Sequence, residues 1–156
     1  QQGILSTHLH AEGTYAEELY CIAPSSSGKE RISQELIDRG EFLLKMNGNT
    51  VFKHAVVRFM EVIQEALAFN QLSKEDIDLL VPHQANKRII DATRDRAGLP
   101  ESKVMVNIDR YGNTTNATIP LCLWEWESQL KKGDNLILAA FGGGFTWGAA
   151  WVKWAY

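Results

Sequence analysis

The sequence predicts an α/β fold, a mostly parallel mixed sheet covered by helices, and three observations lead there. Strand-like and helix-like segments alternate along the chain, the order that builds βαβ units. The strand-like runs around Val81, Val104, Ile137 and Trp151 are apolar on successive residues, which predicts cover on both sheet faces. The last two runs are separated only by Gly142-Gly143-Gly144 and so form a hairpin. At 156 residues, the chain is expected to be one domain with one core.

Gly3 to His10 mixes apolar and β-favouring residues and reads as a strand that stops at Glu12-Gly13. Pro24 to Gly40 turns polar, beginning with Ser25-Ser26-Ser27-Gly28, and is expected to be an inserted surface excursion. After Asn47-Gly48-Asn49-Thr50, the residues Phe52, Ala55, Val56, Phe59, Ile63, Ala66 and Leu67 follow three-and-four spacing, so a helix runs to about Asn70. Ser73 to Asp76 is a capped turn, and Ile77 to Val81 a buried strand closed by Pro82, which has no N–H for a ladder. Helical spacing resumes from Ala85 to Ala97 and stops at Gly98 and Pro100. Val104 to Ile108 is the next strand, and a turn at Tyr111-Gly112-Asn113 leads into a helix reaching Leu130. Leu136 to Phe141 and Phe145 to Trp154 are the closing strands. Three helices are scant cover for such a sheet; with five Trp in the chain, this predicts an apolar face that a partner domain buries.

Composition narrows the function classes. Hydrophobic residues at 45% and charged residues at 22% exclude disordered, collagen-like and coiled-coil chains. With 16 Lys+Arg against 19 Asp+Glu, no global field favours nucleic acid or an anionic membrane as a partner, and any basic site is local. No apolar run is long enough to span a bilayer, and Gln1-Gln2-Gly3 has neither an initiator Met nor a signal-peptide pattern. A soluble cytoplasmic protein is expected, and the missing Met fits a piece processed or excised from a longer polypeptide and a deliberately chosen start equally well. Cys21 and Cys122 stand far apart in unlike contexts, which fits a reducing compartment.

Three loops are expected at one edge of the sheet, where ligands of open α/β folds bind. The first, Pro82-His83-Gln84-Ala85-Asn86, offers a histidine able to act as base, donor or ligand, or to serve as a cap or satisfied core residue. The second, Tyr111 to Ala117, carries Asn113, a donor or a turn residue. The third, Phe141-Gly142-Gly143-Gly144-Phe145, lets backbone N–H groups approach an oxyanion, although a tight hairpin also demands glycine. It lacks the ending of a P-loop and the spacing of a dinucleotide fingerprint, so nucleotide binding is disfavoured. His8, His10 and His54 have no carboxylate or thiolate at ligand spacing, and no metal site is expected. Neither cysteine reads as a nucleophile: Cys122 sits in an apolar helical stretch and Cys21 lacks a positive environment.

Together these loops resemble the C-terminal half of β-ketoacyl-acyl-carrier-protein synthase III, the ketosynthase that starts bacterial fatty-acid synthesis. Val81-Pro82-His83-Gln84-Ala85-Asn86 with Arg88-Ile89-Ile90 looks like its histidine motif, Asp109-Arg110-Tyr111-Gly112-Asn113-Thr114 like its asparagine motif, and Phe141 to Gly148 like its closing glycine motif. Gly3 to Leu9 and Met46 to Lys53 also match in order and spacing. The resemblance implies a thiolase-like fold of two α/β halves, in a homodimer, with the catalytic Cys in an N-terminal half; residues 1–156 would be the C-terminal domain. Departures are Asn116, where the family usually has a small residue, and the Pro24 to Gly40 loop.

The implied chemistry is decarboxylative condensation: the Cys takes an acyl group from acyl-CoA, malonyl-acyl-carrier protein loses CO₂, and the enolate attacks the acyl thioester. By this resemblance His83 and Asn113 donate to the malonyl thioester oxygen, and the Gly143 N–H joins the oxyanion hole for the acyl thioester. Gly48, Asn49, Phe52, Ala85 and Asn86 match positions lining the pantetheine tunnel; Lys53, Arg88, Arg94 and Arg96 match the patch that docks the carrier protein. No cofactor is implied beyond the coenzyme A thioester and the carrier's phosphopantetheine, both substrates. The alternatives are a chalcone-synthase-like or secondary-metabolite ketosynthase half, although Gln84-Ala85-Asn86 after the histidine is unlike the plant-type motif, and a non-catalytic thiolase-fold subunit that serves assembly.

Overall fold

A computed structural model describes every residue except Gln1, Ser27 and Lys29, so part of the Ser25–Gly28 stretch lies outside the described residues. The regular elements are β1 (Gly3–Ala11), β2 (Leu19–Tyr20), α1 (Gln34–Asp38), β3 (Lys45–Met46), α2 (Gly48–Phe69), β4 (Leu79–Pro82), α3 (Lys87–Ala97), α4 (Ile108–Tyr111), α5 (Thr118–Trp126), β5 (Asn135–Gly142) and β6 (Thr146–Lys153). Short 3₁₀ turns join several of them. The main sheet has the order β1-β6-β5-β4, and β2 pairs with β3 in a two-stranded ribbon.

The α/β class is as the sequence predicts, but the sheet is not mostly parallel. β4 pairs parallel to β5, whereas β5–β6 and β6–β1 are antiparallel. The three-glycine turn folds β6 back on β5, and β1 then joins the open edge of β6. The strand expected at Val104 to Ile108 is also absent. Only an isolated parallel bridge, Leu80 to Val104, remains of it, because the chain turns into α4 and its N–H groups find a side chain instead of a ladder.

That side chain is Gln84, fully buried just after β4. Its amide nitrogen donates to the carbonyl oxygens of Pro82 (2.8 Å) and Met105 (3.1 Å), and its amide oxygen accepts from the N–H groups of Asn107 (2.9 Å) and Ile108 (3.2 Å). Four backbone groups that burial would otherwise leave unpaired are thereby satisfied.

Side-chain alternation explains the layers. Leu80, Ile137, Ala139, Phe141 and Ala149 point to one face, where Val56, Phe59, Val62, Ile63 and Ala66 of α2 and Ile90 of α3 fill the core. Helix α2 repeats buried residues at three-and-four spacing, starts where Asn47 accepts from the Thr50 N–H, and ends at Asn70. Helix α3 ends at Gly98, whose φ of 64° a side chain would strain. On the opposite face, Val81, Leu136 and Met105 pack with Cys122 of α5 and Leu130. That cover reaches only the end of β6, at Val152, and stops short of β1. The open side carries Leu9, 80% exposed, in register with Gly148, and Trp124 of α5 is exposed too.

Replacing Gln84 by Met keeps the side-chain bulk and orphans four backbone groups. We expect Gln84→Met to lower unfolding free energy by about 2–4 kcal/mol. The denaturant midpoint measures it, and a wild-type midpoint would show that the amide contributes nothing to stability.

Candidate active site

The three sequence-marked loops do meet. A cleft of about 950 Å³ opens on the uncovered sheet face, lined by His83, Asn113, Thr118, Gly143 and sheet residues including Leu138, Ala140 and Gly148. His83 follows the parallel strand β4, and its N–H donates to the Ala139 carbonyl of β5 (2.8 Å), so the parallel pairing fixes where the ring emerges. Its Nδ1 lies 2.6 Å from Thr118 Oγ1. Burial holds the imidazole below the ordinary histidine range, which makes it neutral at pH 7.

Asn113 is exposed on the loop between α4 and α5. Its side-chain oxygen accepts from the Thr115 N–H at 3.0 Å. A backbone N–H can only donate, so this bond identifies which end of the amide is oxygen and leaves the NH₂ donors free. Thr115 itself has φ of 53°, a strained setting for a β-branched residue. The Thr118 hydroxyl donates to the Thr115 carbonyl oxygen at 3.0 Å.

Gly143 sits in the β5–β6 turn, and its carbonyl accepts from the Thr146 hydroxyl (3.0 Å). A Cβ built there would lie 2.7 Å from the Leu19 carbonyl oxygen, so β2 alone requires glycine at this position. Among the described residues its N–H has no acceptor.

The expected tunnel residues form a second group, outside the cleft lining. Gly48, Asn49 and Phe52 lie in the first turns of α2, and Ala85 and Asn86 lead into α3. The Arg88 guanidinium stands 5.3 Å from the centre of the Phe52 ring, which brings these two helix starts together. Asn86 spends its side-chain oxygen on capping α3, accepting from the Arg88 N–H at 2.8 Å.

The four basic residues separate. Lys53 and Arg88 are exposed on neighbouring helix starts. Arg94 is roughly 240° around the helix from Arg88 and is engaged by Asp91 (3.4 Å) and Asp95 (2.8 Å). Arg96 is exposed in the last turn of α3, roughly 12 Å along the helix from Arg88.

Some partnerships were invisible in the sequence. Glu65 of α2 meets His8 Nδ1 (3.2 Å) and His10 Nε2 (2.6 Å), pairs more than fifty residues apart. Gln84 stood in the histidine loop with no role read for it and Thr118 was unmarked, since a polar residue in a loop and a threonine at a helix start carry no periodic signal. Cys122 is buried, donates weakly to the Asn107 side-chain oxygen (3.3 Å), and has its thiol pushed up to about 12, chiefly by burial. It is not a nucleophile.

Residues 67–154 match the family described as 3-oxoacyl-[acyl-carrier-protein (ACP)] synthase III C terminal. The β-ketoacyl-[acyl-carrier-protein] synthase III of Porphyromonas gingivalis is 50% identical over 154 residues, covering 99% of this chain and 45% of that protein. The crystal structure of the Thermus thermophilus synthase III superposes with a TM-score of 0.84 at 45% identity, over 99% of this chain and 47% of that one. The Aquifex aeolicus 3-oxoacyl-[acyl-carrier-protein] synthase III gives 0.83 at 36% identity, over 98% and 45%. The chain therefore spans less than half the length of the relatives it matches. The chain belongs to the 3-oxoacyl-[acyl-carrier-protein] synthase III family and corresponds to its C-terminal part.

Proposed function

We propose that this chain is the C-terminal half of a cytoplasmic, homodimeric β-ketoacyl-acyl-carrier-protein synthase, condensing an acyl-CoA primer with malonyl-acyl-carrier protein. One observation carries the reading. A neutral histidine, an asparagine with free NH₂ donors and an unpaired glycine N–H share one cleft, and neither cysteine lines it. Such a cleft stabilises charge on an oxygen but has no thiol to hold an acyl group, so the nucleophile comes from outside these residues.

In the proposed reaction a cysteine of the N-terminal half displaces CoA from its thioester. Malonyl-carrier protein then loses CO₂, and the electron pair left behind forms an enolate that attacks the acyl carbon and expels the cysteine sulfur. Asn113 donates to the enolate oxygen, with His83 beside it; a neutral amide placed in advance needs no reorganisation as charge develops. The Gly143 N–H binds the acyl thioester oxygen. The first turns of α2 and α3 hold the pantetheine arm, and Lys53 with Arg88 meets the acidic carrier. The open face of β1, β6 and β5 is the surface the N-terminal half would cover.

The chain by itself is expected to show no condensing activity and to gain it when combined with a cysteine-bearing N-terminal half. Activity of the isolated chain would end this reading. In the full-length enzyme, Asn113→Ala and His83→Ala should each slow malonyl decarboxylation about 10²–10³-fold, measured as CO₂ release. Asn113→Ala should leave acyl transfer less affected, and wild-type decarboxylation in either variant would return that residue to a structural role.

Reversal of the two basic residues tests docking. Exposed charges contribute roughly 0.2–1 kcal/mol each and are screened by salt, so Lys53→Glu with Arg88→Glu should raise KM for malonyl-carrier protein several-fold and flatten its salt dependence. KM for acyl-CoA should change less. Equal loss toward both substrates would mean the tunnel was damaged instead.

A further inference from the structure

Asn113 and His83 are joined through two residues that the proposed chemistry leaves unused. The Asn113 side-chain oxygen accepts from the Thr115 N–H, the Thr115 carbonyl accepts from the Thr118 hydroxyl, and the same hydroxyl oxygen lies 2.6 Å from His83 Nδ1. Thr118 has one hydroxyl proton and two neighbours. The Thr115 carbonyl can only accept, whereas His83 Nδ1 can donate or accept according to where the ring carries its proton. If the hydroxyl pointed at Nδ1, the Thr115 carbonyl would face an oxygen lone pair at 3.0 Å. Both contacts become hydrogen bonds in one arrangement only, with the hydroxyl donating to Thr115 and Nδ1–H donating to the hydroxyl. Thr118 is buried to 2% exposure, so water is a poor substitute partner.

We infer that Thr118 is a positioning residue that holds neutral His83 as its Nδ1–H tautomer, so that Nε2 meets the cleft as a proton acceptor. Resting on the proposed function, this gives His83 an order of work. Nε2 takes the proton of the cysteine thiol as sulfur bonds to the acyl carbon, and CoA leaves as the thiolate, to be protonated by water. Both ring nitrogens then carry hydrogen, and Nε2–H donates to the enolate oxygen formed by decarboxylation. When the cysteine sulfur is expelled after carbon–carbon bond formation, it recovers that proton. Asn113, which does not titrate, donates throughout.

The test uses full-length enzyme labelled with ¹⁵N-histidine, the His83 signals being assigned as those lost in His83→Gln. At neutral pH the wild-type ring should show a protonated Nδ1 and a bare Nε2. Thr118→Ser should keep this pattern, and Thr118→Val, nearly isosteric, should move the proton to Nε2. A wild-type ring protonated at Nε2, or a Thr118→Val ring unchanged from wild type, overturns the inference. Acylation by acyl-CoA should fall about tenfold or more in Thr118→Val with KM little changed, and recover in Thr118→Ser; acylation at the wild-type rate in Thr118→Val counts against the order of work. The spectra need no substrate, so they stand even if malonyl-carrier protein is not decarboxylated, an outcome that would instead defeat the proposed reaction.

Discussion

The buried amide of Gln84 is the constraint on which the site depends. It stands between the end of β4 and the segment running to α4, and it is bonded to both. Because His83 precedes it by one residue and Asn113 follows α4 closely, one side chain sets the distance between the two loops that carry them. A charged or apolar residue there would leave buried peptide groups unpaired, so the geometry is held by hydrogen bonding where packing alone would allow the loops to slide. The same amide explains why the chain after Val104 leaves the sheet: the N–H groups of Asn107 and Ile108 are already used.

Around this clamp the sheet is asymmetric. Helices α2 and α3 fill one face, whereas α5 covers only the part of the other face near β4. The cleft lies at that boundary: His83, Asn113 and Thr118 line it from the covered side, and Thr7, His10 and Thr146 from β1 and β6. His83 and Asn113 are each held by a hydrogen bond, which suits the proposed charge stabilisation, since donors that must reorient during a reaction lose their advantage. Exposed Leu9 lines the cleft and Trp124 of α5 is exposed as well, apolar surface of the kind that a protein normally buries.

The helices were legible because their signals are local and repeated. Seven apolar positions predicted α2, and Gly98 with Pro100 marked the end of α3. The hairpin was legible from its glycines. The direction of most ladders was not, since strand direction follows from long-range pairing: alternation of strands and helices predicted parallel neighbours, and β1 joined the far edge from more than a hundred residues away. The loops of the site could be marked singly by residue type, while their chemistry as a group came from the motif resemblance. Glu65, Gln84 and Thr118 escaped because each acts on partners distant in sequence.

The strain at Thr115 connects these observations. Its left-handed backbone costs on the order of 1–3 kcal/mol and persists because both of its peptide groups are held, the N–H by Asn113 and the carbonyl by Thr118. Relaxing it would release the Asn113 amide from its fixed orientation and free the hydroxyl that faces His83. Burial also keeps His83 below its usual titration range. Protonation is therefore harder in the folded protein than in the unfolded chain, and the stability from burying a neutral ring is present above the unfolded pKa and declines as pH falls below it. Acid thus opposes the fold around His83 and, in the proposed reaction, its resting state as an acceptor, while Asn113, being uncharged at every pH, leaves the histidine as the titrating half of the pair.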